Sequence, residues 1–255
     1  MEQDQTVSTN PSPTVSPFMS RVTDIFTAPG DVYAEVAEAP VQTSSWVLPW
    51  IISLLLAIGF TCALYNNTTL RQQIYDMQER GMKKAVAEGK MTQERYDQIS
   101  ENMESSGPVM FMFIGAGSQI VIISVAVFGV TLVFWLVAKF GLKFSGSYAK
   151  MLEVYGLAML IGILGAIITL LMMNLFDTFY AAPSASMAVL GSFDPTNKLH
   201  RLLASLNVFT LWQVAVLGIG TAKVTRKSIG TGMSIAFGLW AVWAILSSLL
   251  GWGMR

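Results

Sequence analysis

Glu153 is the first residue to ask for a chemical role, because it lies one turn into a long apolar stretch with Lys150 three residues before it on the same helical face. An ionisable group inside a membrane is a functional suspect by default, because a charge at the bilayer centre costs at least ~3 kcal/mol, unless the two side chains simply pair at the edge of the apolar region. Their nearness to the start of the stretch favours an interfacial pair. Uncharged polar side chains lie deeper: Gln119, Asn174, Asn207 and Gln213. Amides in such surroundings either line a polar path or bond between helices for about 1 kcal/mol each, and the second use is the commoner.

Enzyme chemistry finds little material. His200 is the only histidine and Cys62 the only cysteine, so neither a His/Cys metal centre nor an internal disulfide is expected. No H-E-x-x-H, P-loop or G-x-S-x-G occurs, and Gly220-Thr221-Ala222-Lys223 lacks the preceding glycine of a phosphate-binding loop. Neither an enzyme nor a cofactor is expected. The 16 basic and 16 acidic residues balance and form no basic stripe with interleaved aromatics, so nucleic acid is not an expected partner. Small residues carry a clearer message: Ala158, Gly162 and Ala166 recur every four residues, and Gly218-Ile219-Gly220 and Gly230-Thr231-Gly232 flank a short basic connection. That spacing lets helix backbones approach closely in lipid, so Gly162, Gly218 and Gly220 are expected packing positions.

The elements that must position these residues are five apolar stretches, 46–65, 109–138, 151–176, 202–222 and 229–250, with Glu153 the one charge inside them. Each has the ~20 residues that cross a hydrocarbon core about 30 Å thick. With hydrophobic residues at 53%, charged residues at 13% and mean hydropathy +0.53, the chain is expected to be an all-α polytopic membrane protein, a bundle of five transmembrane helices. Alternating ~10-residue segments of a barrel are not found.

Residues 1–17, broken by Pro11, Pro13 and Pro17, read as a disordered tail. Within 18–45, Val22, Ile25 and Phe26, then Val32, Tyr33 and Val36, mark two amphipathic helices separated by Pro29-Gly30. They suit a membrane surface or the end of the bundle itself. Arg21 is outnumbered by Asp24, Asp31, Glu35 and Glu38, which favours the bundle. Residues 46–252 form the membrane domain, interrupted at 66–107 by a mixed-charge segment expected to be a helical hairpin outside the bilayer, broken at Glu88-Gly89-Lys90 and restarted by Thr92 as a cap. The second span has apolar length to spare, and a bend at Gly115-Ala116-Gly117-Ser118 is expected to absorb it.

Orientation follows from basic residues in short loops. Lys139, Lys143 and Lys150, then Lys223, Arg226 and Lys227, share a side with Arg21 and outnumber Lys198, Arg201 and Arg255 opposite. The long hairpin weighs less. The N-terminus is expected in the cytoplasm, with the hairpin and C-terminus outside.

A positional pattern adds a resemblance. Phe26-Thr27-Ala28-Pro29 is followed by Val32-Tyr33, Trp46-Val47-Leu48-Pro49 opens the first span, and tyrosines at Tyr148 and Tyr155 mark the third. Asn207-Val208-Phe209-Thr210-Leu211-Trp212, Gly218-Ile219-Gly220 and a last helix with Trp240 and Trp243 complete it. Over 18–65 and 109–252 the chain resembles the prokaryotic branch of the Yip family, the Ypt/Rab-interacting membrane proteins. The resemblance implies five spans, a cytoplasmic N-terminus and the plasma membrane of a prokaryote. Eukaryotic relatives act in vesicle traffic, but the Asp-Leu-Tyr-Gly-Pro motif they carry is missing here.

Two function classes fit. A non-enzymatic membrane organiser or adaptor would hold a protein partner through 18–45 or 66–107, besides the lipid bilayer. A small permease or channel component would use Gln119, Asn207 and Gln213 as a polar lining. Few membrane charges and many small residues favour the first. The oligomeric state is left open by the sequence.

Overall fold

The chain is seen in a computed structural model that describes residues 16–250; most of the 1–17 tail lies outside the described residues. Everything regular in it is helical: α1 (Phe18–Thr27), α2 (Pro29–Glu38), α3 (Ser44–Asn66), α4 (Thr68–Ala87), α5 (Gln93–Gly141), α6 (Tyr148–Phe176), a 3-10 helix (Ala185–Ser192), α7 (Lys198–Ser205), α8 (Val208–Val224) and α9 (Ile229–Leu250). Side-chain oxygens start many of them. Asn67, Thr92, Ser147, Asn197 and Asn207 each accept from a backbone N–H of the first turn, and Pro29 opens α2 at the position where its missing N–H costs nothing.

Among the described residues four helices, α3, the Phe113–Gly141 part of α5, α6 and α9, are long and apolar enough to cross a membrane; α8 is a shorter apolar helix. Its 17 residues reach about 26 Å, nearly a turn less than the bilayer core. The stretch expected at 202–222 is therefore not one helix. Leu202 ends up in α7, the chain opens at Leu206, and Asn207 caps α8 by accepting from the N–H groups of Phe209 and Thr210. The opened backbone is paired: the Ala185 N–H donates to the Leu206 carbonyl and the Val208 N–H to the Pro183 carbonyl. A short amide that serves better as a cap than in a helix interior decided the break.

A second difference concerns α5. The outer arm of the hairpin and the second span are one helix over Gln93–Gly141, uninterrupted at Gly115 and Gly117. A helix-interior glycine costs only about 1 kcal/mol, less than leaving backbone groups unpaired in lipid. The other arm is α4, and Gly89 turns between them at φ +68°.

α3 packs on α6 and α5, α6 on α8, and α8 on α9. Of the long spans α6 is the most enclosed, with Met151, Val154, Leu157, Ala158 and Ile161 fully buried. α3, α5 and α9 instead expose Leu55, Val121, Val125 and Trp243 outward, as lipid-facing helices do. α1 and α2 lie across one end of the bundle: Ile25, Val32, Tyr33 and Val36 are buried with Met151, Val154, Leu157, Ile161 and Val216 of α6 and α8. Their apolar faces are used inside the protein, as the acidic excess suggested. At the opposite end Leu64 and Leu70 pack on Met173, rooting the hairpin on the end of α6.

Candidate functional site

Gly156 is where the chain lets α3 meet α6. A Cβ there would stand 2.4 Å from the Cα of Trp46 and 2.5 Å from the Ser45 carbonyl oxygen, so only glycine admits the contact. This brings the start of α3 beside Glu153, one turn earlier on α6. From above, α1 places Arg21 on the same stripe as Phe18, Val22 and Ile25, so its guanidinium is carried down with the apolar face.

Glu153 is wholly buried. Its Oε2 accepts from Lys150 Nζ at 2.7 Å. Its Oε1 accepts from the Ser45 hydroxyl at 3.2 Å, the Gln42 N–H at 3.3 Å and Arg21 Nη1 at 3.5 Å. Arg21 Nη1 also donates to Ser45 Oγ at 2.8 Å, while Arg21 Nε is buried without a partner. Lys150 spends its other two protons on the carbonyls of Val36 and Ala39, at 2.9 and 3.0 Å. Those carbonyls belong to the end of α2, where a helix has acceptors to spare and favours a cation. One carboxylate thus ties α1, α2, α3 and α6 together.

Tyr33 completes the enclosure. Its hydroxyl donates to the Val154 carbonyl at 2.9 Å, and burial first, then the neighbouring Glu153 charge, pushes its pKa well above the usual phenol range. The ring lies against Gly220, where a Cβ would be 2.8 Å from Tyr33 Cζ and 2.6 Å from Val154 Cγ1. Outside the cluster, Glu38 of α2 pairs with Arg226 after α8 at 3.2 Å.

The candidate residues read from sequence separate into groups. Glu153 and Gly220 meet in this cluster. Gly162 and Gln213 meet lower down, a Cβ on Gly162 falling 2.6 Å from Gln213 Oε1. Gly218 faces α9, 3.2 Å from the Gly232 carbonyl oxygen by the same measure. Asn207 caps α8, and Gln119 is exposed on the outer side of α5. The three amides of a polar lining are thus dispersed. The pairing of Lys150 with Glu153 is present, but under α1 and α2 rather than at an open interface. Arg21, Ser45 and Gly156 were missed by sequence reasoning; the legible signal was a single arginine on the apolar stripe of α1.

At the far end a second polar network holds the hairpin. Asn67 Nδ2 donates to Asn174 Oδ1 at 3.3 Å and Asp177 Oδ1 at 3.2 Å, while Gln73 donates to the Asp177 carbonyl and accepts from the Phe179 N–H, both at 2.9 Å. Among the described residues no three His, Cys, Asp or Glu side chains gather to hold a metal ion. Residues 23–253 match the Yip1 domain family. No curated protein and no solved structure matches the chain.

Proposed function

The chain belongs to the Yip1-domain family, of generally non-enzymatic membrane proteins, and from that membership we propose a membrane organiser or adaptor that presents a rigid platform at one membrane face and a helical hairpin at the other. The observation that carries this reading is the enclosure of Glu153. A buried carboxylate bonded from α1, the α2–α3 connection, α3 and α6 ties the N-terminal helices to the bundle as one body, so a partner meets a preformed surface.

On that surface α1 and α2 contribute acidic side chains, with Glu38 paired to Arg226. Asp31 and Glu38 are exposed on it and Asp24 and Glu35 are half-buried. On the basic-loop count the platform is cytoplasmic, with the hairpin and C-terminus external, and the chain sits in the plasma membrane of a prokaryotic-branch member with α8 as a fifth, short crossing. The dispersal of Gln119, Asn207 and Gln213 leaves a transport path without a lining.

Site-specific photocrosslinking in native membranes tests the adaptor role. Probes at Asp31 of the platform or Glu94 of the hairpin should capture a defined protein, and a probe at lipid-facing Val125 should not. Collapse of a solute gradient across vesicles holding the pure protein, abolished by Gln213→Ala, would establish a permease instead.

A further inference from the structure

At the end of the bundle opposite Glu153, α7 lies along the last turns of α9. Arg201 fixes this arrangement. Its Nε and Nη2 donate to the Ser248 carbonyl, the former at 2.9 Å, and its Nη1 to the carbonyls of Pro195 and Thr196 at 2.8 and 3.0 Å. The guanidinium is thereby committed to backbone acceptors.

Beside this clamp runs a cleft of about 170 Å³ lined by Lys198, Leu199, Leu202, Ile245, Ser248 and Leu249. Leu199, Ile245 and Leu249 are 60, 53 and 54% exposed, so the apolar wall is open. Lys198 stands exposed at its mouth and forms no ion pair among the described residues.

The depth of the cleft identifies the occupant. α9 has the length and composition of a membrane span, so its last turns lie where hydrocarbon gives way to headgroups. What borders an apolar cleft at that level is lipid. Lys198, without an ion pair among the described residues, is a cation that complements a phosphate, whereas a zwitterionic headgroup would bring its own ammonium against it. The geometry points to a binding site for an anionic phospholipid, its acyl chain in the α7–α9 cleft and its phosphate on Lys198. The inference rests on α9 crossing the membrane and not on the adaptor role.

Nitroxide-lipid quenching tests it in the full chain carrying Cys62→Ser. A fluorophore on Leu249→Cys, in phosphatidylcholine vesicles doped with nitroxide-labelled phosphatidylglycerol or phosphatidylcholine, should be quenched several-fold more efficiently by the anionic lipid. A fluorophore on lipid-facing Leu171→Cys should show no such preference. Lys198→Gln should bring the ratio at position 249 to parity, and Lys198→Arg should keep it. Equal quenching by both lipids at 249, the same preference at 171, or a preference that survives Lys198→Gln overturns the assignment. Lys198 is a surface residue, so these variants leave the bundle intact.

Discussion

Glu153 shows how one residue acquires a role from its surroundings. Replacing it by glutamine keeps the size and one acceptor oxygen but leaves Lys150 and Arg21 enclosed without an anion. Breaking a buried pair this way costs about 3–5 kcal/mol, whereas losing the Ser45 hydroxyl, which accepts from Arg21 and donates to Glu153, costs about 1.5–3 kcal/mol and leaves the opposite charges facing one another. Glu153→Gln is expected to lower the thermal unfolding midpoint in detergent more than Ser45→Ala. Equal shifts would mean that the carboxylate contributes only one hydrogen bond among several. The pairing with Lys150 could be read from a three-residue spacing, but Arg21 is 132 residues away from Glu153 and no local pattern joins them.

Between elements, the close approaches are made by glycines that face a neighbouring helix. Gly162→Leu would drive a branched side chain into Gln213 and part α6 from α8, so the folded fraction in detergent should fall sharply. Leu171→Ala, at a site 60% exposed, should be tolerated. Comparable loss in both would count against interface packing as the cause. α5 gives a second test. An uninterrupted helix separates Arg95 from Lys139 by about 66 Å, from 1.5 Å per residue, and a bend at Gly115 would shorten this. Dipolar spectroscopy between spin labels at these two positions is expected to return the long distance. The existence of a hairpin and its Thr92 cap were legible because caps and turn glycines are local signals. The fusion of its outer arm with the second span was not, since glycine and serine lower helix propensity while lipid forces helix regardless.

For the molecule as a whole, the contacts divide the connections into two ends. The N-terminal helices, the α5–α6 loop and the α8–α9 loop gather with Glu153; the α4–α5 turn, the 3-10 helix and α7 lie at the other. Membrane-impermeant maleimide, applied to Cys62→Ser protein in intact cells, should reach the cysteine of Gly89→Cys and should miss those of Ser145→Cys and Lys227→Cys until the cells are opened. Labelling of Ser145→Cys from outside would invert the proposed orientation.

Composition and periodicity alone determined that the chain is helical and membrane-embedded, where most of its spans run, and that 18–45 carries apolar faces needing cover, because a bilayer imposes length and backbone pairing on any sequence that enters it. The match to a Yip1 domain agrees with the positional pattern of Pro29, Trp46 and Gly218 read along the chain. Tertiary structure decided the rest. Which polar residues meet depends on how helices are rotated and how deep they sit, and those are set by contacts such as Trp46 on Gly156 and Tyr33 on Gly220 between segments far apart in sequence. Glu153 therefore reads as an edge residue along the chain and is a buried centre in space, because the helices that cover it come from elsewhere.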